Sequence, residues 1–177
     1  MSKKYELVVD DTITFWGWKL FRIRALISFG SVEAGELGGY ISKEDNLSRS
    51  GNAWVYGDAR VYGDARVYGN ARVSGNAEVS GDARVSGDAR VYGNARVSGN
   101  AEIKNIKDYI VFKNHWSSGR HFTYTKSNKM WKVGCFYGTG QELIDKAYQD
   151  SDKSGNYYKA YVEFVEKLEA LDESERS

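Results

Sequence analysis

The chain has no proline and only one cysteine in 177 residues. A single thiol, Cys135, excludes an internal disulfide framework. Two histidines, His115 and His121, are too few for a structural zinc site of the usual kind, and neither metal nor cofactor is expected. Charge of one sign is also missing. Twenty-five basic and 24 acidic residues leave a formal +1, which excludes gross polycationic binding but not a local patch. There is no long apolar run, and mean hydropathy is -0.58, so no membrane-spanning helix is expected. The opening MSKKYELVVDD lacks the apolar stretch of a secretory signal, which points to the cytoplasm. The length suits one compact domain, or a small core with appendages.

What is there is a repeat. Residues 51–103 read as nine uninterrupted hexapeptides of the form Gly-Asx-Ala-Arg-Val-Tyr/Ser. Gly recurs from Gly51 to Gly99, Ala from Ala53 to Ala101 and Val from Val55 to Val97, with Ile103 closing the series. Ala and Val are two apart, so in an extended segment they share one face. The residue between them, usually Arg or Glu, points the other way. Gly-Asx then turns the chain, because glycine accepts positive φ and Asp and Asn tolerate it better than most. A strand of about three residues cannot bury its face alone, so each must stack on its neighbours.

This pattern resembles the hexapeptide-repeat family of left-handed parallel β-helices. Val55 with Ala59 and Val61 with Ala65 match the family spacing of an aliphatic residue and a small one four positions on. The resemblance implies a triangular prism with three hexapeptides per coil, so that residues eighteen apart stack. Its outer columns are then Trp54, Arg72 and Arg90; Arg60, Glu78 and Arg96; and Arg66, Arg84 and Glu102. Trp54 is expected to make a cation–π contact with Arg72. Tyr56, Ser74 and Tyr92 form a further column. A face holding Trp54, Tyr56, Arg72, Arg90 and Tyr92 has the residue types that dominate protein-binding hot spots, or is a solubilising ladder.

The expected fold is mainly β, with four parts: an N-terminal β cap (1–34), the prism (35–105), a basic aromatic meander (106–138) and C-terminal helices (139–177). Counting back eighteen places Leu37, Ile41 and Leu47 above Val55, Ala59 and Ala65, in an irregular entry coil over 35–50. Short strands are expected at Tyr5–Val9, Thr12–Phe15 and Lys19–Leu26, with a turn at Trp16-Gly17.

The flank after the repeats hides a charge asymmetry. Residues 104–139 carry seven bases against Asp108, and residues 140–177 carry ten acids against five bases. The basic part has strand patterns at Asp108–Lys113, His121–Thr125 and Met130–Phe136. Bases interleaved with aromatics can bind single-stranded nucleic acid, which makes Lys113, Trp116, Arg120, Lys126, Lys129 and Lys132 a candidate surface, with Trp116 and Arg120 at an exposed turn. The bland alternative makes the aromatics the core of the meander and the lysines its wet side. Thr139-Gly140-Gln141-Glu142 reads as a capping box opening a helix to about Gln149. A second helix is expected from about Asn156 to Leu171, with Tyr157, Tyr161, Phe164, Val165 and Leu168 as its apolar stripe.

No catalytic residue is expected. Acyltransferases of the hexapeptide-repeat family use a coenzyme-A thioester and a histidine, and this chain has no histidine in its coils and no loop interrupting them. Cys135 and His121 could form a nucleophile pair, but Trp131–Phe136 reads as an apolar strand in which the thiol packs. The segments KYELV, LFRIRAL, GELGGYISKEDNLS, GNAWVYGDARVYGDARVYGNARV and GCFYGT resemble short proteins encoded by bacterial phages, prophages and mobile elements. That resemblance implies a non-enzymatic protein-binding module acting in the bacterial host cell on a host protein or ribonucleoprotein. An inhibitor of a defence system, such as a CRISPR effector, fits it. The alternatives are an acyltransferase relative using acetyl-coenzyme A and a structural or assembly module, in which a homo-oligomer is an option. Direct nucleic-acid contact is open; a membrane is not expected.

Overall fold

A computed structural model describes residues 3–176. The repeat folds as a parallel β-solenoid. Its nine strands are two residues each: β4 (Trp54–Val55), β5 (Arg60–Val61), β6 (Arg66–Val67), β7 (Arg72–Val73), β8 (Glu78–Val79), β9 (Arg84–Val85), β10 (Arg90–Val91), β11 (Arg96–Val97) and β12 (Glu102–Ile103). Strands eighteen residues apart pair in register, giving three faces: β4-β7-β10, β5-β8-β11 and β6-β9-β12. Each coil donates to the next, as in Arg72 N–H to Ala89 C=O at 2.9 Å and Ser74 N–H to Val91 C=O at 2.9 Å. Proline at such donor positions would leave a carbonyl unpaired. Every repeat Ala and Val is buried, so the axis is filled by alternating small and branched side chains. The corner glycine is required, not merely tolerated. Gly75 has φ +64, and a Cβ there would lie 2.9 Å from the amide nitrogen of Gly93 in the next coil.

The entry coil departs from the eighteen-residue count. Ile41 in β3 (Leu37–Ile41) pairs with Val61, and Leu47 bridges Val67, both twenty residues apart. Ile41 and Leu47 therefore occupy the aliphatic positions, not the small ones, and Leu37 pairs with Arg24 and is 53% exposed. The cause is a longer corner. Ser48 N–H bonds Val67 C=O and Asn52 N–H bonds Gly69 C=O, a step of four residues against two on the partner coil. Asn46 ends the 3-10 turn Glu44–Asn46 that precedes this corner. Buried, it accepts from the amides of Ser42 and Lys43 and donates to the carbonyls of Gly63 and Ala65.

The N-terminal segment extends a face as well as covering the end. β1 (Tyr5–Phe15) and β2 (Trp18–Ala25) form a hairpin, and β2 runs antiparallel to β3, so one sheet reads β1-β2-β3-β5-β8-β11. The two short strands expected over 5–15 are one strand with a register shift between Val8 and Thr12. Over the first coil, Lys4 Nζ donates to Ala53 C=O at 2.6 Å, and Tyr5, Ile23 and Val32 join the solenoid core.

The C-terminal cap is an antiparallel sheet of β13 (Tyr109–Lys113), β14 (His121–Thr125), β15 (Met130–Val133) and β16 (Phe136–Thr139), followed by α1 (Gly140–Asp150) and α2 (Asp152–Arg176). Thr139 caps α1 through the reciprocal box with Glu142. One side of the sheet closes the solenoid. Tyr109 and Val111 pack on its core, Thr123 Oγ1 accepts Arg96 N–H, and Ser127 Oγ accepts Glu102 N–H. These contacts satisfy two of the last coil's free donors. The other side carries Phe112, Phe122, Tyr124 and Trp131 against the helices. α2 begins earlier than expected because Ser151 Oγ accepts Ser154 N–H. Its buried line is Tyr158, Val162 and Val165, while Phe164 of the expected stripe is exposed.

Candidate binding face

The basic aromatic set does not assemble into one surface. Trp116, expected at an exposed turn, is half-buried: its ring stacks on Tyr157 at 4.7 Å and meets Tyr158 at 4.9 Å. Lys126 is held by α2, paired with Asp172 and 4.0 Å from Glu169. Lys132 is half-buried, and burial lowers its pKa; Cys135 and Glu78 oppose the shift and Arg96 adds to it. Only Lys113, Arg120 and Lys129 are exposed. Lys113 pairs with His121 at one end of β14, while Lys129, with φ +54, lies in the turn at the other. The acidic helix thus neutralises part of the basic segment from within. Cys135 is not packed in a strand; it is exposed in the Gly134-Cys135 turn between β15 and β16.

The solenoid faces differ from one another in charge pairing. On β5-β8-β11, Glu78 sits between Arg60 at 3.8 Å and Arg96 at 3.5 Å and is buried. Burial raises the Glu78 pKa, and Arg96, Arg60 and Lys132 oppose the shift. Phe15 of the hairpin lies 4.3 Å from the Arg60 guanidinium, so this face is largely occupied.

On β4-β7-β10 the upper rung is closed. Trp54 is fully buried, in edge contact with Phe29 at 5.3 Å and Tyr5 at 6.2 Å. It packs under the N-terminal segment rather than over Arg72, and it belongs to the core, not to a binding surface. Hydrophobic covering of the first coil outweighs a solvent-exposed cation–π contact.

The two lower rungs are open. Arg72 and Arg90 are exposed and in register, and neither makes an ion pair among the described residues. Beside them run Tyr56, Ser74 and Tyr92. Together with Ser31 above and Ile106 below, these side chains line a groove of about 570 Å³. Tyr56 Oη reaches Ser31 Oγ at 3.4 Å, and Tyr109 Oη donates to Arg90 C=O at 2.8 Å, so both ends are anchored. Four of the five residues expected here are thus in place. Ser74 was legible as the small member of its column; Ser31 and Ile106 come from the caps, where no periodicity places them.

Among the described residues no His, Cys, Asp and Glu cluster of metal-binding size forms. No helix among them is long and apolar enough to cross a membrane. Residues 65–81 and 89–102 match the family model described as YdcK Beta solenoid repeat. The chain is a repeat β-solenoid protein. Both matched stretches lie within the regular coils and include Arg72, Ser74, Arg90 and Tyr92. No curated protein matches the chain.

Proposed function

We propose that this β-solenoid is a non-enzymatic binding module that presents the β4-β7-β10 face to an acidic partner. One observation carries the reading: two stacked arginines that make no ion pair among the described residues, flanked by tyrosines, in a groove that residues of both caps line. Like charges directly opposite one another cost stability, and an external anion relieves that cost. The resemblance to phage and mobile-element proteins supports a host protein or ribonucleoprotein as partner, and inhibition of a defence system such as a CRISPR effector as the outcome. The acyltransferase alternative finds no support in the coils, since His115 packs on Trp116 and Tyr157 in the C-terminal cap.

Affinity capture from a bacterial lysate tests the reading. The wild type should retain a partner that Arg72→Glu with Arg90→Glu releases, while Lys113→Glu with Lys129→Glu keeps it. The opposite pattern would move the site to the C-terminal cap.

A further inference from the structure

Resting on that assignment of the face, we infer that its ligand is a single-stranded nucleic-acid segment, with phosphates on Arg72 and Arg90 and bases on Tyr56 and Tyr92.

The corner residues carry the first part of the inference. Each Gly-Asx corner can use Asp or Asn to make its turn, so the choice between them is free to set charge. Arg72 lies between Asn70 and Asn76, both neutral. Arg90 lies between Asp88 and Asn94, and the Asp88 carboxylate accepts from the Asn70 amide at 3.3 Å. The neighbouring β6-β9-β12 face has the other choice. There Arg66 lies between Asp64 and Asn70, and Arg84 between Asp82 and Asp88. Identical arginines on identical strands are thus flanked by three acids and one amide on one face and by three amides and one acid on the other. Both pairs border a groove, Arg66 and Arg84 one that Asp45 and Tyr68 also line, but the amide-flanked pair borders the one that no acid lines. The charge complementary to it is an anion on each of two successive rungs, which a phosphodiester strand supplies and guanidinium forks bind well.

The aromatic column carries the second part. Tyr56 and Tyr92 are two rungs apart, roughly 10 Å at the usual strand spacing. Ser74 between them leaves a notch. Tyr92 is exposed and Tyr56 half-buried against the core, and rings beside a cationic track are the recurring arrangement for single strands, because every base has a π-face to stack. Tyrosine and arginine are also hot-spot types, so an acidic protein surface is the rival occupant that the peptide below tests; the described lining offers it one aliphatic contact, Ile106 at the lower end. The caps that supply Ser31 and Ile106 limit the track to two open rungs, so the contacted segment is short.

Fluorescence anisotropy on the full chain tests this, with labelled RNA and DNA decamers of mixed sequence and a labelled decaglutamate peptide. The nucleic-acid decamers should bind, with log affinity falling against log salt with a slope of about -1.4 for two phosphates. Arg72→Glu with Arg90→Glu should abolish binding. Tyr56→Ser with Tyr92→Ser should weaken it at least about tenfold without changing the slope. Serine already occupies this repeat position elsewhere, so the coil should fold, and Tyr92→Ser alone, the exposed ring, serves if the double variant does not. Arg66→Glu with Arg84→Glu makes the same charge change on the other face and should bind as wild type. A control variant that loses as much affinity, tyrosine variants that bind normally, or a glutamate peptide that binds where the decamers do not would each overturn the inference. If the decamers fail while lysate capture still needs Arg72 and Arg90, the nucleic-acid reading falls and the binding face stands. If neither depends on the arginines, both fall. A preference for RNA over DNA would identify the sugar as read as well.

Discussion

Arg72 and Arg90 stand in register on adjacent parallel strands, as Arg60 and Glu78 do one face away, yet only the second pair is a salt bridge. Position in the coil is the same in both cases. The difference is the residue chosen, and it separates a column that serves the fold from one that burdens it.

Arg72→Glu should therefore leave the fold at least as stable as before. It converts a repulsive rung into an Arg–Glu rung like Arg60–Glu78, a change of about 0.2–1 kcal/mol in favour of the variant. Differential scanning calorimetry at low salt checks this, and a melting temperature lowered by several degrees would show that Arg72 supports the coil.

Glu78 gives a pH dependence whose sign can be worked out. Burial raises its folded-state pKa above the ordinary glutamate value. The folded chain then holds this proton more tightly than the unfolded chain. The contribution to stability is fully present below the ordinary value and is lost as pH rises through the raised one. Glu78→Gln lacks this term, so its stability relative to wild type should rise from acid to neutral pH. Denaturant melts at several pH values measure the difference. A difference that instead falls with pH would mean that the pairs with Arg60 and Arg96 outweigh burial.

Val79→Asp should abolish folding. Val79 is fully buried on the solenoid axis and pairs with Val61 and Val97 on either side. A carboxylate there would have neither water nor a partner, at a cost of several kcal/mol against a typical stability of 5–15 kcal/mol. Circular dichroism of the purified variant gives the answer, and a soluble variant with an unchanged melt would mean that the inward and outward positions have been inverted.

Lys126→Glu should loosen α2 without touching the solenoid. The change breaks the pair with Asp172 and sets three acids together with Glu169, so like-charge repulsion replaces attraction where α2 meets the sheet. Hydrogen exchange should rise in α2 and stay slow at Val73 and Val91. Equal acceleration in both would show that cap and coils unfold as one unit.

The regular coils were legible in the sequence because a six-residue period states the inward face, the turn and the stacking partner of every residue at once. Arg72, Arg90 and Tyr92 could be placed on one face for that reason. The irregular parts were not. Two extra corner residues near Arg49 shift Leu37 out of the interior, and no local signal distinguishes them from a regular turn. Trp54 occupies an outward position of the repeat, so the period places it in solvent. It is buried by Phe29 and Tyr5, from a segment that the period does not describe. Trp116 was misplaced similarly: its partners Tyr157 and Tyr158 lie some forty residues on, in a helix whose docking the sequence does not state. Local periodicity fixes contacts within a repeat; contacts made by caps depend on tertiary packing alone.

Ser74→Tyr tests whether the notch, rather than the charge, defines the site. Tyrosine occupies the equivalent position at Tyr56, Tyr62, Tyr68 and Tyr92, so the coil accepts it. The variant keeps both arginines and adds a ring between Tyr56 and Tyr92, filling the groove. Its melting temperature should stay within about 2 °C of wild type, since a surface substitution away from core and turn costs at most about 0.5 kcal/mol. Partner capture and decamer binding should both fall, because a continuous tyrosine ladder leaves no recess beside Arg72 and Arg90. Ser80→Tyr makes the same change on the neighbouring face and should alter neither. If Ser74→Tyr binds as well as wild type, the ligand rests on the arginines alone and the groove between the tyrosines is incidental to recognition.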